Sequence, residues 1–479
     1  MSERSGSIRH LGTHRRLVSQ TEHLALETTL APDAIIVPAS RPAGNLEQAI
    51  TLARALHCVL LILCSHRVKT ADVHTLLARR SFTNAIVVNL PDNYHHELLD
   101  FPALARIEED LPSACSWYVT DLSAKRNAGL LLARMLGWRR IFFLDDDIRD
   151  ISPADVQGTV SMLGSYPAAG MRVNSFPDNS AVCHAHRATG GFQDVFITGA
   201  ALAVDCQQNI GFFPDIYNED WLFFFDNASR NQLGGSGRSV TQLTYDPFAE
   251  PERAAWQEFG DVLAEGLYTL LDLGLDLRDA TDGYWAQFLE ARRIFLEAIL
   301  SRADKMSPEN KEQMQLSVEM ALKCSVTIGP GLLERYTLLW RRDLRDWQRR
   351  IAAVREMPSL KDALEALGLE QSTDGGAADL TRLTTANDAD GPMTMPYALQ
   401  ELYDLLRAGA EDNGRAEDPG RKRGGGSRQA DALPRHGSPS AHEGRRLAFA
   451  RRTFRPRDRG STESSVTLDV APTVGLNTT

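Results

Sequence analysis

Cysteine is scarce in this chain: there are six in 479 residues, Cys58, Cys64, Cys115, Cys183, Cys206 and Cys324, and no two form a CxxC pair. A disulfide framework or a zinc knuckle is not expected from such scatter, and the cysteines read mostly as small buried apolar residues in a reducing compartment. Long apolar runs are missing too. The longest, Cys58 through Cys64, has the size of a strand and falls far short of the ~18 residues that a membrane-spanning helix needs. The opening residues Met1 to Gly6 are polar and lack the apolar core of a secretory signal. The chain therefore reads as a soluble, cytoplasmic protein with no transmembrane segment. Positive charge is outweighed: the formal net charge is −11. Basic residues crowd the stretch beyond Arg421, so residues 1–420 are more acidic still. An acidic body argues against a nucleic-acid-binding core, and no nucleic-acid partner is expected.

What remains is ordinary globular material, 43% hydrophobic and 24% charged, enough for two or three folding units. Residues 1–30 are polar and aperiodic and read as a loose arm or short helix. Order begins near Asp33. Ala34 to Val37 is a β-branched strand bounded by Pro38, and Leu46, Ala49, Ile50, Ala53 and Leu56 then recur at helical spacing. Val59 to Leu63 and Ala85 to Val88 supply two further strands. A helix is expected over 123–136 and a strand over Arg140 to Leu144. Strand-like runs follow at Asp194 to Ile197 and Ala201 to Val204. Short apolar strands alternating with amphipathic helices indicate an α/β domain, here 31–250, with a mainly parallel sheet. From Pro251 helical periodicity takes over, and 251–370 reads as an all-helical unit of four or five helices. Its aromatic stripes, such as Tyr336, Trp340 and Trp347, are expected to be core. Residues 371–479 are rich in Gly, Asp, Ser, Pro and Arg and read as a mostly disordered tail with one short helix at 396–407.

The chemistry concentrates at Asp145-Asp146-Asp147, directly after the apolar run Ile141-Phe142-Phe143-Leu144. If the strand continues through them, Asp145 and Asp147 share one side and Asp146 takes the other. Ligands of open α/β sheets bind beyond the carboxyl ends of the strands. Two carboxylates converging there suit a hard divalent cation, Mg2+ or Mn2+. Taken alone, the triplet reads as a solvated acidic loop; its neighbours change that.

Lys125-Arg126-Asn127-Ala128-Gly129 precedes the strand. Downstream, Thr198-Gly199-Ala200 is followed by Gly211-Phe212-Phe213 and by Glu219-Asp220 at the start of a helical run. Together these segments resemble the centre of GT-A-fold glycosyltransferases, especially family 2-like enzymes, over about half the chain. The resemblance implies a Rossmann-like nucleotide-diphospho-sugar transferase domain. It implies metal-dependent, non-processive transfer of a sugar, a hexose by expectation, from a nucleoside-diphosphate sugar to a hydroxyl acceptor that the sequence does not identify. It places Asp147, with Asp145, on the metal. Asp145, Asp146, Lys125, Arg126 and Asn127 fall on the donor side, with Lys125 or Arg126 contacting phosphate or sugar. Asp220 becomes the first candidate to take the acceptor proton and Glu219 the second; in a retaining enzyme Asp220 would position the acceptor instead.

Pro38 and Ser40, after the first strand, line the place where a nucleotide base would sit. Two features depart from the pattern. Leu63-Cys64-Ser65-His66 stands where an acidic residue often holds the base, and the Gln-x-x-Arg-Trp signature of processive synthases is missing. His184 and His186 are expected on one strand face, lining an acceptor or offering an extra ligand. A sugar-phosphate nucleotidylyltransferase is the competing enzyme, but the loop 38–45 has one glycine where a phosphate loop would be glycine-rich. A non-catalytic scaffold on the same α/β domain is the competing class, and metal-dependent nucleotide binding separates it from an enzyme.

Overall fold

The computed structural model describes residues 8–20, 30–92, 94–108, 121–174, 180–306 and 310–373. The short helix expected at 396–407 and the tail from 374 onward lie outside them.

The strands are β1 (Ser19–Gln20), β2 (Ala34–Ala39), β3 (Val59–Cys64), β4 (Ala85–Asn89), β5 (Arg140–Leu144), β6 (Ile148–Arg149), β7 (Ala168–Asn174), β8 (Ala201–Asp205) and β9 (Leu233–Gln242). They form one sheet in the order β1-β9-β7-β8-β5-β2-β3-β4, with β6 attached to β9. The run β5-β2-β3-β4 is parallel, whereas β8 is antiparallel to both its neighbours. The first helices, α1 (Glu47–Leu56), α2 (Thr70–Arg79), α3 (Pro102–Glu108), α4 (Leu122–Met135), α5 (Pro153–Ser161), α6 (Ala181–Ala188) and α7 (Glu219–Ser229), are interleaved with the strands. Five more follow: α8 (Glu252–Asp272), α9 (Asp282–Met306), α10 (Lys311–Ser325), α11 (Pro330–Ala353) and α12 (Leu360–Ala366). The chain is thus a mixed α/β protein with a helical C-terminal part. No single helix among the described residues is long and apolar enough to cross a membrane.

Period-two alternation explains the unbroken apolar strands. In β2, Ile35 and Val37 enter one core while Ala34 and Ile36 enter the other; in β5, Phe142 and Leu144 part in the same way from Ile141 and Phe143. Both faces are covered, so no polar residue is tolerated on either. Trp340 and Trp347 of α11 and Tyr268 of α8 belong to the same buried cluster as Ile36 and Phe143. The aromatic stripes of the helical part are therefore core, continuous with one face of the sheet.

The register places β2 between β3 and β5, and the connections from β2 run first to one side and then to the other. In open α/β sheets the ligand crevice lies at such a reversal, which here falls at the carboxyl ends of β2 and β5. Gly129 of α4 lets the helix lie close over them: a Cβ there would sit 3.1 Å from Ile36 Cγ2.

Several segments differ from their sequence reading. Strand β2 continues through Pro38 to Ala39. Its ladder with β5 ends at Ile36, so the missing proline N–H leaves no gap in that ladder. Residues 194–197 form no strand; Val195, Phe196 and Ile197 are buried as irregular chain. Residues 8–20, read as part of a loose arm, are seated. His14 bonds Asp272 at 2.5 Å, and His10 bonds Gln193 at 2.8 Å and Glu265 at 3.1 Å while stacking on Phe295. Buried acidic partners on α8 supply what the segment's own polarity could not. Cys58, Cys64, Cys183 and Cys206 are buried free thiols, whereas Cys324 is disulfide-bonded, a pairing that sequence spacing did not reveal.

Candidate active site

Strand β5 stops at Leu144, and the acidic triplet turns away, with Ile148 N–H bonding Asp145 C=O at 3.2 Å. Strand alternation therefore does not govern it. The three carboxylates go to three places, and Asp146 and Asp147, not Asp145 and Asp147, share a partner.

Asp145 faces α4. Arg126 donates from Nη2 to both its oxygens at 3.0 Å and from Nη1 to Glu219 at the start of α7. The guanidinium is 3% exposed and lies 5.3 Å from the Phe213 ring centroid. Burial pushes the Glu219 carboxyl up to about 8; Arg126 opposes this and Asp220 adds to it. Asp220 Oδ2 accepts from Gly199 N–H at 2.8 Å. Only a glycine fits there, because a Cβ would stand 2.8 Å from Asp220 Cβ and 3.1 Å from Arg126 Nη1. Asp145, Arg126, Glu219 and Asp220 are thus one connected group.

Asp146 closes the other side. It accepts from the backbone N–H groups of Ser40 and Arg41, both at 2.8 Å, which pins the chain leaving β2 to the end of β5. The Arg41 guanidinium then bridges Asp146 at 2.6 Å and Asp147 at 2.7 Å. Gln242 Nε2, at the end of β9, donates to Asp147 at 3.1 Å. Lys125 Nζ donates to Ala39 C=O at 2.8 Å and lies 3.2 Å from Asp121, and burial pulls its pKa down.

Some candidates are placed otherwise. Asn127 uses its carboxamide on the backbone N–H and C=O of Phe213, fixing that loop to α4 instead of facing the crevice. Pro38 is buried within β2, and Ser40 reaches Asp146 through its backbone. His184 and His186 lie on helix α6, not on a strand; a two-residue separation on a helix turns them apart. His186 Nδ1 accepts from Arg302 at 2.8 Å, and burial pushes its pKa down to about 4.

Sequence reasoning missed Arg41 and Gln242. A basic residue directly after a strand that ends level with an acidic triplet is a usable signal for the first. Nothing local marks the second, which depends on the pairing of β6 with β9.

The donor set suits a hard cation. Asp147 offers carboxylate oxygen, and Gln242 Oε1, buried beside it, has no hydrogen-bond partner among the described residues. With Nε2 donating to Asp147, Oε1 is left as the acceptor without a partner. Around the crevice Asp145, Asp146, Asp147, Glu219 and Asp220 outnumber Arg41, Lys125 and Arg126 by five to three. Among the described residues, three metal-capable groups converge at Cys183, Asp261 and Glu265, away from the triplet. Arg292 already occupies that cluster, 3.0 Å from Asp261 and 3.0 Å from Glu265.

No protein-family model and no curated protein matches this chain. Among solved structures, the mannosyltransferase PcManGT from Pyrobaculum calidifontis, in complex with GDP-Man and Mn2+, is similar at 11% identity and a TM-score of 0.36, over 62% of this chain and 87% of that one. A likeness this remote carries no argument about chemistry.

Proposed function

We propose that the protein transfers a sugar, a hexose by preference, from a nucleoside-diphosphate sugar to a hydroxyl acceptor, on a GT-A-type α/β domain, with Mg2+ or Mn2+. One observation carries this: motif residues distant in sequence meet at the crevice where β2 and β5 end, joined through Arg126 and Arg41. The order Lys-Arg-Asn-x-Gly, acidic triplet, Gly199, Glu-Asp adds support.

Asp147 and Gln242 Oε1 would hold the cation, with Asp145 nearby on the donor side. A divalent ion there supplies a Lewis acid for the charge that builds on the departing diphosphate. Its need follows from charge: the crevice is already net negative, and a diphosphate adds to that. Asp145, held in the Arg126 fork, orients the donor. Asp220, fixed by Gly199, is the carboxylate placed to take the acceptor proton. Glu219 is engaged by the Arg126 guanidinium, which leaves Asp220 as the base.

Calorimetric titration of UDP and GDP into the full chain, with and without Mn2+, tests the proposal. At least one nucleotide should bind with Mn2+ present, and Asp147→Ala should weaken that binding and abolish turnover while leaving the circular dichroism unchanged. Heat-silent titrations with both nucleotides would remove the transferase reading in favour of a scaffold.

A further inference from the structure

Arg41 stands in the way of any cation at Asp147. Its guanidinium is 2.6 Å from Asp146 and 2.7 Å from Asp147, while its side chain is 46% exposed and the carboxylates are 1% and 4% exposed. The two partners are therefore unequal. The carboxylates are built into the fold, and the guanidinium sits at the rim on a flexible stem.

Asp146 does not depend on that guanidinium, since it also holds the Ser40 and Arg41 backbone N–H groups. Those bonds anchor the Arg41 backbone whether or not its head group moves. At Asp147 the situation differs. The neighbouring Gln242 Oε1 is a buried acceptor with nothing to accept from among the described residues. A buried acceptor left unmade is unfavourable. A hard divalent cation takes carboxylate and amide oxygens together.

We infer that Arg41 and a divalent cation are alternative occupants of Asp147: Arg41 holds the place in the free protein and leaves it when the cation binds, moving on its anchored backbone toward the diphosphate. Two positive charges cannot share one buried carboxylate at this distance without strong repulsion. The exchange also delivers a second cation to the donor at the moment the first arrives, because the released guanidinium is suited to bidentate contact with phosphate. The destination of Arg41 rests on the proposed function; the competition itself does not.

The experiment is titration of the full chain with Mn2+ alone, followed by calorimetry and by the electron paramagnetic resonance signal of free Mn2+. Arg41→Met should bind Mn2+ at least about tenfold more tightly than the wild type, because the competing charge is gone. Arg41→Lys, which keeps the charge but cannot bridge two carboxylates, should fall between, and it decides the matter if Arg41→Met does not fold. Unchanged or weaker Mn2+ binding in the folded variants overturns the inference. A UDP and GDP arm separates the two proposals. Tighter Mn2+ binding with no nucleotide bound by any form supports the competition and removes the transferase reading. Nucleotide binding with flat Mn2+ affinities does the reverse.

Discussion

Replacing Arg126 with methionine tests whether the candidate site is one electrostatic unit. The wild-type guanidinium contacts both oxygens of Asp145 at 3.0 Å and also Glu219, at 3% exposure. Methionine keeps an apolar stem against Phe213 and removes the charge, leaving two carboxylates without their shared partner. Breaking a fully buried ion pair from one side costs about 3–5 kcal/mol. Here Asp145 and Glu219 are 17% and 13% exposed, so water recovers part of the loss and about 2–4 kcal/mol is expected.

The pH dependence is the sharper signature. Glu219 is already raised to about 8 by burial, with Arg126 as the main influence holding it down. Removing Arg126 raises it further. A carboxyl raised in the folded state gives stability that is fully present below its unfolded value and is lost as pH rises through the folded value. In the wild type that loss is complete somewhat above pH 8. In the variant the folded carboxyl stays protonated to higher pH while the unfolded one is already ionised, so the loss continues above pH 8 until the variant's own folded value is passed. The deficit of Arg126→Met relative to the wild type should therefore grow between pH 7 and 10, as read from urea midpoints followed by tryptophan fluorescence. A deficit below about 1 kcal/mol, the level of an ordinary exposed pair, or one independent of pH, would refute the linkage of Arg126 to Glu219.

Two further outcomes follow from the geometry. Gly199→Ala puts a Cβ 2.8 Å from Asp220 Cβ; the displaced carboxylate should lower turnover by about 10²-fold with nucleotide affinity unchanged by calorimetry, and equal loss of both would show that Asp220 does not act on the acceptor side. At low pH, Glu265, held down to about 2 against burial by His10 and Arg292, contributes stability present above its unfolded value near 4.5 and lost as pH falls toward 2; urea midpoints should drop over that window, and Glu265→Gln should flatten the drop.

Local pattern made some of this visible and could not reach the rest. Strand β5 was legible to the residue, because an apolar run flanked by Arg140 and the acidic triplet can be buried on both faces over that length alone. Helix α4 was legible within a residue, since its apolar positions recur at helical spacing. The acidic triplet was legible as a cluster but not as geometry. The alternation rule holds inside a ladder, and β5 ends one residue before Asp145. The strand expected at His184 and His186 is a helix, because Ser180 caps it by accepting from Cys183 N–H. The seating of residues 8–20 lay beyond local pattern altogether, for its partners Glu265 and Asp272 are some 255 residues away in the chain.

The placement of the ion pairs argues for function over stability. A protein needing only to close its sheet at β2 and β5 could do so with apolar side chains, and exchanging buried ion pairs for well-packed apolar groups is often neutral or stabilising. This chain instead puts Asp145, Asp146 and Asp147 at the end of its central strand and ties each to a separate element: α4 and α7 through Arg126, the exit of β2 through two backbone N–H groups, and β9 through Gln242. The elements are held by the carboxylates, but the carboxylates are equally held by the elements. Carboxylate oxygens that are fixed in advance need little reorganisation to receive a cation, and on the proposed reading it is that cation, not the carboxylates, that would stabilise charge developing on a departing anion. The half-exposed Arg41 is the one member of the arrangement whose head group can leave without dismantling it.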